Sequence, residues 1–230
     1  YFKNITIKDA NISGIHEVGI LIGHLQIQNN SNILIDSIYM IDGFLSGNYA
    51  GSLIGYILNE GYSEIPKSFV VNNVFSSVNI YNSTNSGIIG FNYAFDCNID
   101  FSNIQNIGIT SSDIVGLPAM NTNNAFIGQF ARNSYNINNF IFSGFAKTND
   151  SIFNHLIQSS DFNGSNGYYI KMKNNFWDNS NENVYAVDSV LKLKNEENYQ
   201  SWENFDKYWK IETIDGITRI PILKGVNIPY

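Results

Sequence analysis

A unit too short to fold by itself returns along this chain, and that constrains the fold more than any other feature of the sequence. The pattern apolar, any, apolar, polar, polar, apolar occurs as ITIKDA from Ile5, ILIDSI from Ile33, FVVNNV from Phe69, IDFSNI from Ile99 and YNINNF from Tyr135. A looser copy, IKMKNNF, starts at Ile170. Alternation of period two places the first and third residues of each copy on one face of a strand. With Ile7, Ile35, Val71, Phe101, Ile137 and Met172 taken as equivalent, the steps run from 28 to 36 residues. Steps of that size belong to solenoids, in which each coil is stable only against its neighbours.

The polar residue ahead of the last apolar one is Asp9, Ser37, Asn73, Asn103, Asn139 and Asn175 in turn. Coils stacked at about 4.8 Å bring such side chains one above another, where Asn73, Asn103, Asn139 and Asn175 can bond along the axis as a ladder. Asparagine also favours bends through its own backbone contacts and its tolerance of left-handed conformations, and either reading puts a bend there.

A second motif falls between these strands: VGILIG from Val18, AGSLIG from Ala50, SGIIG from Ser86 and NAFIG from Asn124. Its glycines Gly23, Gly55, Gly90 and Gly128 are 32, 35 and 38 residues apart. A glycine after a short apolar strand supplies the positive φ of a tight corner. Two strands per repeat with a corner after each make one coil, and the inward Ile, Val, Leu and Phe fill the bore. The expected fold is therefore all-β: a right-handed parallel β-helix, or β-solenoid, of about six irregular coils over residues 1–177. The stretches 59–67 with Pro66 and 112–124 with Pro118 read as loops on one edge.

Residues 178–230 depart from the pattern and read as a C-terminal cap. VLKLKNEENYQSWENF has mixed apolar spacing and reads as a short helix at its start, whereas WKIETIDGITRIPIL carries Asp215-Gly216 between two β-branched runs, a β-hairpin signal. Trp202, Phe205, Tyr208 and Trp209 are dense enough to cover an open solenoid end, where unpaired backbone groups and apolar bore would otherwise meet water. A carbohydrate-stacking platform is the functional alternative for these aromatics.

Composition agrees with strand and turn: 43% of residues are hydrophobic and only 14% charged, against roughly 25% charged in an average domain. The net charge of −7 and the absence of a Lys/Arg stripe argue against nucleic acid as a partner. No apolar run is long enough for a membrane span, and the chain opens on Tyr1 already in a strand-like pattern, which reads as a piece of a longer protein. A single cysteine, Cys97, excludes a disulfide framework and a cysteine-rich zinc site. Six sequons, at Asn4, Asn11, Asn29, Asn82, Asn149 and Asn163, are candidate N-glycosylation acceptors, and an Asn-rich chain also produces such triplets by chance.

The repeated GILIG from Gly19, GSLIG from Gly51, the shorter GIIG from Gly87 and the weaker NAFIG from Asn124 resemble the GLUG motif, a short repeat with a Gly-Leu-small-Gly core. The tail WENFDKYWKIETIDGITRIPIL, with Trp209, Ile211, Pro221 and Leu223 in the matching places, is similar to the segment that closes such repeats. The resemblance implies a β-solenoid of large extracellular or cell-surface proteins, often adhesins or the non-catalytic regions of surface proteases such as bacterial IgA peptidases. It transfers no catalytic residue.

Candidate chemistry in the sequence is sparse. His16, His24 and His155 stand alone at no metal-ligand spacing, and Cys97 lacks an adjacent base. Parallel β-helices that cleave acidic polysaccharides cluster aspartates on one coil face, and the residues available for that are Asp96, Asp100 and Asp113. Asp100 takes an outward place in its copy, and no neighbouring copy supplies an equivalent Asp. The sequence thus leads to a non-catalytic structural or adhesive module, part of a larger rod or filament, with no cofactor. Glycans or neighbouring filament proteins are the expected partners, and a polysaccharide lyase or hydrolase is the alternative.

Overall fold

The computed structural model describes residues 1–59, 66, 68–81, 83, 85–94, 97–108, 110–112, 122–123, 127–130, 135–143, 146–148, 152–153, 162–170, 184–187, 191–202 and 204–226. The first coil comprises β1 (Phe2–Ser13), β2 (Glu17–Gly19) and β3 (Ile22–Ile27), and the second β4 (Asn32–Ser46) and β5 (Tyr49–Asn59). The third holds β6 (Ser68–Ser76), β7 (Asn79–Tyr81) and β8 (Asn85–Asn92); the fourth β9 (Ile99–Asn106), β10 (Thr110–Ser112), β11 (Thr122–Asn123) and β12 (Ile127–Phe130). Then come β13 (Tyr135–Phe142), β14 (Ala146–Thr148), β15 (Ile152–Phe153), β16 (Phe162–Ile170) and β17 (Val184–Val187).

Equivalent strands of successive coils pair in parallel, which makes the molecule a β-solenoid. Its coil has three faces, one more than the two strands per repeat suggest. The long first face runs β1, β4, β6, β9, β13, β16, β17. A short second face joins the ends of β1 and β4 to β7, β10 and β14. The third stacks β2 and β3 on β5, β8, and β11 with β12. The second face escaped the sequence reading because its rungs are only three or four residues long, too short for an alternation to show.

The apolar, polar, polar, apolar units from Ile33, Phe69, Ile99 and Tyr135 look like broken strands in the sequence, and in these four the break has a single cause. Ser37, Asn73, Asn103 and Asn139 adopt φ of 57°, 53°, 55° and 55°. One left-handed residue inside a strand flips the facing of the residues beyond it, so Ile35 and Ile38, three apart, both enter the bore and are fully buried. Nine of the ten described non-glycine residues with positive φ are Asn or Asp, the types that tolerate this region. Asn4, Asn30, Asn73, Asn103, Asn139 and Asn204 therefore have a backbone function.

Register corrects the outer two members of the repeat. Phe2, not Ile7, lies opposite Ile35, and Ile7 lies opposite Met40. Hence Asn4, with φ of 55°, occupies the column assigned to Asp9, while Asp9 shares a second left-handed column with Asp42, at 53° and 58°. At the other end Asn138 pairs with Ser165 and Phe140 with Gly167, which puts Asn166 opposite Asn139. Asn175 and Met172 lie outside the described residues. ITIKDA satisfied the apolar template by chance, five residues out of phase with the true copy.

Ile35, Ile38, Leu53, Ile54, Val71, Val74, Ile89, Ile104 and Phe140 are among the side chains that fill the bore. The solenoid runs past residue 177, since Val184–Val187 adds the last rung of the first face; the described residues from Leu193 to Val226 form a second apolar cluster that lies along the flank of the coils and not over an end. Leu193, Tyr199, Trp202, Trp209, Ile222 and Leu223 pack on Ile41, Phe75 and Ile141, which face outward from the first face. Tyr39, Phe75, Gln105 and Ile141 form one row across four successive coils, and the segment runs along this row as a lateral strap. The strap wins over an end cap because outward Phe75 and Ile141 need cover as much as an open bore does. Lys192–Lys194 and Glu196–Tyr199 are 3₁₀ turns, and Phe205–Tyr208 is a single α-turn. The hairpin forms as its sequence requires: Thr213–Ile214 pairs antiparallel with Ile217–Thr218, and Asp215 and Gly216 take φ of 51° and 75°, a type I′ turn.

Candidate functional site

Two features of the solenoid surface carry chemistry: an amide ladder sealed by the strap, and an aromatic strip on the third face. In the ladder, Asn73 Nδ2 donates to Asp36 Oδ1 at 2.8 Å, Asn103 Nδ2 to Asn73 Oδ1 at 3.1 Å, and Asn139 Nδ2 to Asn103 Oδ1 at 3.3 Å. A parallel row adds Ser102 Oγ to Asn72 Oδ1 at 2.5 Å. The sequence reading left ladder and bend as alternatives, and Asn73, Asn103 and Asn139 do both.

The strap docks on this ladder. Trp209, 1% exposed, donates its indole N–H to Asn103 Oδ1 at 3.1 Å. Gln105, also buried, donates to the Pro221 carbonyl at 2.7 Å and accepts the Leu223 N–H at 3.3 Å, so its amide stands in for a strand partner. Tyr39 donates its hydroxyl to the Lys224 carbonyl at 3.0 Å. Phe205 and Trp209 stack with their planes inclined by only 9°, and Trp202 meets both edge-on. Buried in this way, Trp202 and Trp209 offer no platform to a sugar. Beside them opens a cleft of about 520 Å³ lined by Tyr199, Trp202 and Phe205 and edged by Glu196, Asp206 and Lys210.

The glycines of the second motif do not turn corners. Gly23, Gly55 and Gly90 lie inside β3, β5 and β8, Gly128 lies inside β12, and none of the first three has positive φ; that conformation belongs to Gly43 at the second corner, with φ of 101°. What Gly55 and Gly90 provide is closeness. A Cβ on Gly55 would lie 2.7 Å from the Val18 N and O and the Gly23 O, and one on Gly90 2.6 Å from the Gly55 O. Between the leading glycine and this one the strand kinks, with a register shift between Gly51 and Ile54 that leaves the second coil one residue longer than the third.

That kink folds the two halves of the third face toward each other, so the residue two before the first glycine meets the residue one after the last. In the first coil these are Glu17 and His24, 3.3 Å apart. In the second they are Tyr49 and Tyr56, with ring centroids at 5.5 Å. Register extends the second member of each pair upward as His24, Tyr56, Phe91 and Gln129. Tyr56 and Phe91 stack at 5.4 Å and 10°, Tyr49 lies 5.0 Å from Phe91, and Tyr93 stacks on Phe91 at 5.9 Å. His24 meets Tyr56 at 5.1 Å. Burial first, then Glu17 and the neighbouring Tyr49 and Tyr93, push the Tyr56 hydroxyl above its ordinary pKa, so it is a donor at any physiological pH. This strip was not anticipated. Its signal in the sequence was an aromatic at each end of YAGSLIGY, legible only once the kink is known.

The remaining candidates are dispersed. Asp100 is exposed on β9 and accepts from Asn136 Nδ2 at 2.7 Å; Asp96 and Asp113 lie outside the described residues. Cys97 is buried in the core, where desolvation raises its thiol to a pKa of about 12 and makes it a poor nucleophile. His16 is exposed next to β2, and His155 lies outside the described residues. Among the sequons, Asn4, Asn11 and Asn29 are exposed and Asn163 falls in β16, whereas Asn82 and Asn149 are not described. No helix among the described residues is long and apolar enough to cross a membrane. No family model, curated protein or solved structure matches the chain.

Proposed function

We propose that the chain is a non-catalytic structural or adhesive module of a secreted or cell-surface protein, built from GLUG-type repeats and forming part of a longer rod. The observation that carries this reading is the strap along Tyr39, Phe75, Gln105 and Ile141, which ties four coils together across their stacking direction. A solenoid held only by its nearest neighbours can open one coil at a time, and a lateral splint couples those openings. Stiffness of that kind serves a spacer or a load-bearing stalk. The polar residues of the first face support the reading too, since Asp36, Asn73, Asn103, Asp100 and Asn136 spend their hydrogen bonds between coils.

The test is mechanical and chemical together. Pulled from its two termini, the intact chain should yield in one cooperative event, and Trp209→Ala should split that event into several smaller ones. Incubated with polygalacturonate, xylan and chitin, it should release no new chain ends. Release that disappears in Asp100→Ala while the fold persists would establish the polysaccharide-active alternative instead.

A further inference from the structure

We infer that the strip on the third face, centred on Tyr49, Tyr56 and Phe91, is a binding site for an extended neutral polysaccharide. The inference rests on the reading of the module as adhesive and names the ligand of that adhesion. Three observations point to it. First, the half-buried rings of Tyr49, Tyr56 and Phe91 stay at the surface while Tyr199, Trp202 and Trp209 of the strap are buried, so the third face holds an apolar patch that a sugar's C–H face can rest on.

Second, the patch has a polar fringe at its lower end, where Glu17 and His24 lie 3.3 Å apart. The Glu17 carboxylate, the His24 imidazole and the hydroxyls of Tyr49 and Tyr56 beside aromatic rings suit a ligand that alternates C–H faces with hydroxyls. Successive rungs rise by ~4.8 Å, close to what one pyranose ring adds to an extended chain, so consecutive sugars meet consecutive coils.

Third, the charge selects neutrality. None of Glu17, His24, Tyr49, Tyr56, Phe91 and Tyr93 is Lys or Arg, and the chain carries a net charge of −7. Uronate or sulfated chains would be repelled by that field and find no Lys or Arg among the described residues of the strip.

Native electrophoresis of the full chain through gels containing xyloglucan, galactomannan or β-1,3-glucan, with polygalacturonate and heparin gels alongside, tests this. At least one neutral gel should retard the protein and the anionic gels should not. Tyr56→Ala should weaken that retardation about tenfold, as loss of one aromatic contact does, with the circular dichroism unchanged. Phe91→Ser tests the next rung in the same way. Passage through all neutral gels without retardation, or retardation that both variants retain in full, would overturn the site. So would concentration-dependent dimerisation that Tyr56→Ala abolishes, which would assign the strip to a second copy. Failure here leaves the mechanical test of the module untouched, and failure there leaves this one readable.

Discussion

Asn103 shows how much one side chain carries in this protein. Its backbone sits at φ of 55°, its amide donates to Asn73, and its carbonyl oxygen accepts from both Asn139 and the indole of Trp209. Replacement by alanine removes all three bonds, strands a buried indole N–H and leaves in the left-handed region a side chain that lacks the amide by which asparagine tolerates it. Those losses total about 3–4 kcal/mol, from 1–2 kcal/mol for the conformation and the rest for unsatisfied groups. Asn103→Gly relieves the conformational part and should recover about 1 kcal/mol. Urea unfolding of the two variants separates the terms; equal losses would mean that the left-handed backbone carries no strain. At this scale the sequence was informative: Asn73, Asn103 and Asn139 could be picked out because one position had to serve bend and ladder at once. Asn4 could not, since an adjacent run satisfied the same apolar template five residues later.

At the scale of the element, glycine was found in the sequence and given the wrong reason. A repeated glycine after an apolar run suggests a corner, yet Gly55 and Gly90 are extended residues pressed against backbone of the coil before. Sequence shows that a side chain is absent, and it does not show whether φ or proximity requires the absence. The distinction is measurable. Gly55→Ala and Gly90→Ala must move backbone atoms that lie 2.6–2.7 Å from the new Cβ and should cost more than about 3 kcal/mol, whereas Gly23→Ala, with its nearest atom at 3.4 Å, should cost under about 1 kcal/mol. Thermal denaturation orders the three. If Gly23→Ala proved as damaging as the others, left-handed or corner geometry would have to be reconsidered. The aromatic strip depends on the same kink, and so it stayed hidden until the kink was seen.

For the whole molecule, the class of fold could be read from period alone, because nothing but stacked coils buries units of about 30 residues with that alternation. The placement of the C-terminal segment could not, since an aromatic cluster shows that it must be buried and not against what. The bore residues behave as expected: Ile35 and Val71 are fully buried, and Ile35→Asp or Val71→Asp should abolish folding, seen as loss of the strand signal in circular dichroism. The strap makes a different prediction. Trp209→Ala should leave the coils paired while raising amide exchange along residues 222–224 by several orders of magnitude relative to Ile38.

The strap also imposes an order in time. Its residues come after the coils they clasp, so as the polypeptide emerges from the ribosome, Ile41, Phe75 and Ile141 are exposed to water until Trp209 and Leu223 arrive. For that interval the nascent solenoid has a sticky flank, and a second nascent copy alongside can offer the same clasp as its own tail does. Synthesis rate and chaperone supply, rather than final stability, then decide how much of this protein ends as monomer and how much as strap-exchanged aggregate.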